Sequence, residues 1–323
     1  AIEEGQKQLA KTKSAQEISE LNKIIGESYF NQKKYKEAIP YLQKYKGKKG
    51  KFSNTDYYYL GYAFYKNNDY KAAIEQFNKI VGGNDNVAQN AYYHLAECYL
   101  KTDQKQQALN AFRNASQMDF DKQIKKDAHL NYARLSYEIG NPYESVPSVL
   151  QAYAQAYPND NKEEIQSLLV DSYISSGNYQ AAISLLEKSN DPKDKETYKK
   201  VAFYRGLELF NELQYTDALQ YLTKAIAGSG SLSARASYWA GESAYQLKDY
   251  KGAETYFTQF VNNPAAAKTE EYNKGYYGLA YSQFNQHNYA TAIVNFEKYL
   301  KQNPKDNVWK HDAMLRLADS YFV

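Results

Sequence analysis

A nine-residue interval recurs eight times along the chain, from a small residue to a helix-opening one, with Ala or Ser three places further on. The pairs are Gly26/Tyr35, Gly61/Tyr70, Ala96/Lys105, Ala133/Pro142, Val170/Tyr179, Gly206/Tyr215, Gly241/Tyr250 and Ala280/Tyr289. The third members are Ala38, Ala73, Ala108, Ser145, Ala182, Ala218, Ala253 and Ala292. Successive anchors lie 35, 35, 37, 37, 36, 35 and 39 residues apart, the period of a helical solenoid. An array of equivalent units has no single built-in cleft, so function is to be sought on a surface.

The composition narrows the function further. Forty basic against 37 acidic residues leave a net charge of +3, which argues against a dedicated nucleic-acid or anionic-membrane surface. No run approaches the ~20 apolar residues of a membrane span. One cysteine, Cys98, excludes an internal disulfide and a cysteine-rich metal site. His94 and Cys98 lie one helical turn apart with Glu97 between them, but zinc needs three or four ligands and the unit holds no second such pair. Cys98 therefore reads as a small packing residue. No phosphate loop, nucleophile elbow or HExxH motif is present, so no catalytic activity, cofactor or metal is expected.

Each unit reads as two antiparallel helices. The first is Tyr-rich and ends in a polar turn such as Lys66–Asp69 or Ser175–Asn178. The second opens at the anchor and carries apolar residues at the 3–4 spacing of a buried stripe, as in Tyr70, Ala73, Ile74 and Phe77. Glycine within a helix costs about 0.8–1 kcal/mol relative to alanine, so Gly26, Gly61, Gly206 and Gly241 need a packing reason, and close helix approach supplies one. Pro158, Pro264 and Pro304 each follow a second helix, where proline stops it. Pro142 replaces the aromatic anchor in the fourth unit at a tolerated first-turn place, whereas Pro147 falls inside the same helix and predicts a kink or early break.

These residues carry a family resemblance. The pattern G/A-x2-[Y/F]…Y-x2-A-[I/L/V]-x2-[F/L/Y], in phase eight times, resembles the tetratricopeptide repeat (TPR), of the bacterial multi-repeat scaffold type. The units are expected at 19–53, 54–88, 89–125, 126–162 (irregular), 163–198, 199–233, 234–272 and 273–310. Residues 1–18 then hold the second helix of a preceding partial repeat, and 311–323 the first helix of a further one. Neither end carries a polar cap, so an excerpt of a longer array is expected. The resemblance implies an all-α, right-handed superhelix of antiparallel helical hairpins, with first helices lining a concave groove. It also implies a non-catalytic protein–protein interaction scaffold that binds a peptide or partner protein in that groove.

Counting the first small residue as repeat position 8, position 2 turns basic in the last three full units, at Lys199, Arg235 and Lys274. Aromatic residues accompany it: Phe203, Tyr238 and Tyr277 at position 5, Tyr245 and Phe284 at position 12, and Trp239 beside them. Together they predict a groove for an acidic or amphipathic peptide. Ordinary inter-unit packing is the competing reading of the aromatics, and a solvated face that of the cations. The paired Lys and Asn of the C-terminal-carboxylate clamp known in TPR proteins are not both present, since Glu27 stands where Asn is needed after Lys23. An RNA-reading helical repeat is the first alternative, disfavoured by the sign change along position 2; an interaction region of a protein whose catalytic part lies elsewhere is another. The Lys-, Asn- and Tyr-rich composition resembles large TPR proteins of bacterial envelopes. That favours a periplasmic or cell-envelope assembly over a cytoplasmic one, with no direct membrane insertion through this segment.

Overall fold

A computed structural model describes residues 1–228, 230–302 and 308–323 of the chain. The described residues form eighteen α-helices and one short 3₁₀ turn, without a named β-strand. They divide into two compact units, Ala1–Leu169 and Val170–Val323.

The first unit opens with α1 (Ile2–Leu9) and continues as hairpins: α2 (Ala15–Asn31) with α3 (Tyr35–Lys44), α4 (Asn54–Lys66) with α5 (Tyr70–Phe77), α6 (Asn86–Lys101) with α7 (Lys105–Gln117), and α8 (Lys122–Ile139) with α9 (Val146–Ala156). Helix α10 (Lys162–Ser175) carries the boundary. The second unit holds α11 (Tyr179–Leu186), then α12 (Pro192–Asn211) with α13 (Tyr215–Ala225), α14 (Ser231–Gln246) with α15 (Tyr250–Asn262), α16 (Tyr272–Asn285) with α17 (Tyr289–Lys301), and finally α18 (Val308–Phe322). From α1 to α9 and from α11 to α18 each helix packs on its sequence neighbours within its unit, and first helices also touch the next first helix, as α14 does α16 and α16 does α18. This is an all-α solenoid of helical hairpins.

Seven of the eight second helices begin at the anchor residue. The cause lies in the turn before it. Two places ahead of every anchor stands a residue with positive φ: Lys33, Asn68, Asp103, Gly140, Gly177, Leu213, Lys248 and His287. That left-handed residue lets the next amide reach back to a first-helix carbonyl, as Lys34 N–H does to Tyr29 at 3.0 Å and Gln214 N–H to Leu209 at 2.9 Å. Orphan carbonyls of the first helix are thereby satisfied, and the second helix starts at once. Asp69, Asn178 and Asp249 also cap it with their side chains.

The glycines at position 8 do permit close approach. A Cβ added at Gly61 would stand 2.9 Å from the Phe77 ring, and one at Gly206 only 2.6 Å from Leu222 Cγ. The partner is the residue seven places after the anchor, and Phe77, Phe112, Leu222, Phe257 and Phe296 are all buried there. Each hairpin thus closes over one large apolar side chain.

The fourth hairpin corrects two expectations. Its second helix starts at Val146, so Pro142 lies outside any helix, and Pro147 sits in the first turn, where proline is tolerated, rather than inside the helix. Ser145, expected inside the helix in the place of the repeated Ala, is instead its N-cap and accepts the Ser148 amide at 3.3 Å. Proline alone does not decide this, because Pro40 occupies the equivalent place and remains inside α3. What differs is Asn141. Its side chain accepts the amides of Tyr143 and Glu144 and donates to Tyr132 Oη and Ser136 Oγ, which holds the turn open until Ser145. Pro158 and Pro264 follow second helices as expected, while Pro304 lies outside the described residues.

Candidate functional site: a carboxylate in an aromatic cavity

Within the second compact unit, a cavity of about 270 Å³ opens among α14, α16 and α18. Its lining includes Glu242, Tyr245, Tyr277, Tyr281 and Trp309. Its floor follows from a second glycine in α16. A Cβ at Gly278 would lie 2.5 Å from the tip of the Phe257 ring, so only glycine lets that ring reach between the helices. Gly275, one turn earlier, does the same for Phe260.

The walls are fixed by hydrogen bonds from one helix to the next. Tyr277 Oη donates to Asp312 Oδ2 at 2.7 Å and Tyr281 Oη to Asp312 Oδ1 at 3.2 Å, while Arg316 Nε donates to Tyr281 Oη at 3.0 Å. Asn285 Nδ2 donates to Tyr245 Oη at 3.0 Å. Trp309 stands edge-on to Tyr277, with ring centroids 5.1 Å apart. Burial and the Asp312 carboxylate push the Tyr277 phenol far up, so it stays a proton donor at any physiological pH.

Glu242 is half-buried, and Tyr238 stands one turn before it on α14. Burial drives its carboxyl above the ordinary range, against the opposing pull of Tyr238 and Lys274. Among the described residues no cation lies within ion-pair distance of it.

The residues singled out from sequence fall into separate groups. Tyr245 and Tyr277 line the cavity, Lys274 stands at its rim with Nζ 5.3 Å from the Trp309 ring centre, and Phe284 lies beyond it under Arg316. Arg235, Trp239 and Phe203 form a second cluster around Glu271. Arg235 Nε and Trp239 Nε1 both donate to Glu271 Oε1, at 2.8 and 3.1 Å, and the guanidinium covers the Phe203 ring at 5.2 Å. Phe203 and Tyr238 are almost wholly buried and serve the core. Lys199 pairs with Glu196 on its own helix at 2.6 Å. Glu242, Tyr281, Gly278 and Asp312 were not foreseen. The signal for Glu242 was an acidic residue at position 9 without a basic residue one turn before it.

The first compact unit offers a contrast. Its cavity, about 350 Å³, is lined by Lys23, Glu27, Tyr45, Phe52 and Asp56 among others. Lys23 Nζ lies 2.6 Å from Asp56 and 3.7 Å from Glu27, and 4.8 Å over the Tyr45 ring. Elsewhere in that unit, Cys98 is fully buried, and burial with help from Glu97 pushes its thiol up to about 12. His94 Nδ1 lies 2.7 Å from Glu97 and packs among Tyr58, Tyr62 and Tyr65. No group of three His, Cys, Asp or Glu suited to a metal occurs among the described residues. No described helix is long and apolar enough to cross a membrane.

Family profiles match both compact units. One described as "Anaphase-promoting complex, cyclosome, subunit 3" covers residues 31–115. Two described as "Tetratricopeptide repeat" cover 93–161 with 205–268, and 275–306. A comparison with curated proteins found no match. Among solved structures, the chain resembles the TPR2AB domain of yeast Sti1 in its pHSP90 complex, at 14% identity and TM-score 0.33, over 94% of this chain and 98% of that one. It also resembles the C-terminal part of a TPR repeat-containing protein from Cytophaga hutchinsonii, at 18% identity and TM-score 0.39, over 80% and 99%. Naa15/Naa10 bound to HypK-THB matches at 13% identity and TM-score 0.48, over 91% of this chain but 44% of that one. With the repeated anchors, the shared turn and profiles that together span just over half its length, the chain belongs to the tetratricopeptide-repeat family.

Proposed function

We propose that the chain is a non-catalytic protein-interaction scaffold whose first helices in the second compact unit hold an extended segment of a partner protein. The observation that carries this reading is the cavity among α14, α16 and α18, where aromatic walls held by interhelical hydrogen bonds surround a carboxylate. Preset aromatic walls give contact area at low entropic cost, which is how a small surface becomes an anchor point.

Of the two partner types expected from sequence, the amphipathic one is favoured. An acidic segment would need the three cations of position 2, yet Arg235 already meets Glu271 and Lys199 already meets Glu196. Apolar and aromatic side chains of a partner suit Trp309, which is 44% exposed, and the half-buried Tyr277 and Tyr281. A place in a bacterial cell-envelope assembly belongs to the same proposal and rests on composition.

A photo-cross-linking amino acid tests the reading. p-Benzoyl-phenylalanine replaces Trp309 on α18 in one variant and Val294 on α17 in another, both sites being similarly exposed. Partner cross-links concentrated at Trp309 support a first-helix site. Equal yields, or a preference for Val294, would overturn it.

A further inference from the structure

The position-9 glutamates of the array differ in one respect. Glu27 has Lys23 one turn earlier on its own helix, at 3.7 Å, and Glu97 has His94 on its own helix, at 2.7 Å. Before Glu242 stands Tyr238, which offers a hydroxyl and no charge. The remaining groups facing the cavity do not supply that charge. Asp312 is negative and holds the hydroxyls of Tyr277 and Tyr281, and Arg316 is engaged with Asp312 at 3.8 Å and Asp319 at 2.8 Å. Lys274 draws on Glu242 from a distance, with its ammonium over the Trp309 ring.

We propose that this cavity receives the side chain of a basic residue, lysine or arginine, from the partner segment, with the Glu242 carboxylate as its counter-charge. The inference rests on the reading above and names the chemistry of the anchor. A cation over the faces of Tyr and Trp is attracted by their ring quadrupoles, and the attraction grows as water is excluded. An aliphatic stem suits the aromatic walls while the charged head reaches the carboxylate. The size agrees: about 270 Å³ is below the range usual for drug-sized ligands and suits one extended side chain. The incoming group would complete at Glu242 the ion pair that Lys23 completes at Glu27. Lys274 then acts against it as a like charge at the rim.

The two tryptophan indoles of the full chain provide the readout. Trp309 lines the cavity, whereas Trp239 is bound to Glu271 and packs on Phe210 with ring centroids 5.0 Å apart. The chain is titrated with N-acetyl-lysine methylamide, and separately with the arginine, norleucine and glutamate analogues, while the indole N–H signals are followed by NMR. The lysine and arginine probes should move the Trp309 signal saturably and leave Trp239 in place. The norleucine probe should bind at least about fivefold more weakly, and the glutamate probe not at all. Glu242→Gln should remove the preference for the charged probes, and Lys274→Ala should strengthen it. Equal binding of lysine and norleucine probes, preference for glutamate, or no response at Trp309 would overturn the inference, as would a lysine response unchanged in Glu242→Gln. Should that variant fail to fold, the order of probes in the unaltered chain decides. Cross-linking at Trp309 without any preference for basic probes would remove this inference and leave the first-helix site standing.

Discussion

The two cavities, one in each compact unit, both hold a position-9 glutamate, and the side chain at position 5 separates the surroundings of that carboxylate. Around Glu27, position 5 is Lys23, and its ammonium joins Glu27 and Asp56 into a closed set of charges. Around Glu242, position 5 is Tyr238, a core side chain that carries no positive charge. Whether a gap is settled internally or left to a partner depends on the charge at one position.

The largest expected effect comes from opening the closed set. Lys23→Met leaves Glu27 and Asp56 without their cation and should cost about 2 kcal/mol, read as a lower urea midpoint by circular dichroism. The same set predicts an acid limb. Burial works to raise the Asp56 carboxyl, but Lys23 and Ser53 outweigh it and hold it below the ordinary range. A carboxyl depressed on folding stabilises above its unfolded value, and that share is lost as pH falls through the lower folded value. Lys23→Met should therefore flatten the fall in stability below about pH 4.

Glu242→Gln should act in the opposite direction. A carboxyl raised on folding costs nothing while both states are protonated, and the cost grows as pH rises from the unfolded value of about 4.3 to the folded one. The variant should melt a few degrees higher at pH 7, for a gain of about 1 kcal/mol, and equal the parent near pH 4. A loss of stability at pH 7 would show that Glu242 is already paired and would erase the contrast between the cavities.

The smallest effect checks that the hairpins themselves are alike. Lys33 in the first compact unit and Leu213 in the second hold the same left-handed turn, at φ 60° and 62°. Glycine tolerates that backbone, so Lys33→Gly and Leu213→Gly should each gain about 0.5–1 kcal/mol in thermal melts. Unequal gains would move the difference between the two units from side chains to backbone.

Most of the fold was legible because the repeat is written in local chemistry. Tyr35, Tyr70, Tyr179, Tyr215, Tyr250 and Tyr289 mark where second helices begin, and Gly61 and Gly206 mark where backbones must approach. The fourth hairpin escaped because its start depends on Asn141 reaching Tyr132 and Ser136, a tertiary arrangement that no short pattern encodes. The site was only half legible for a related reason. Counting charges at position 2 found Lys199, Arg235 and Lys274 but not what neutralises them, since Glu196 and Glu271 stand at other positions of the repeat. Gly278 stands outside the repeated small position, and only the Phe257 ring that fills its space gives it a role.

The most direct test is the footprint of a bound partner, recovered through the Trp309 cross-link and followed by hydrogen exchange on the full chain. Recognition through the Glu242 cavity predicts new protection in α14, α16 and α18, with α15 and α17 unchanged. Protection confined to the second helices α13, α15 and α17 would contradict it.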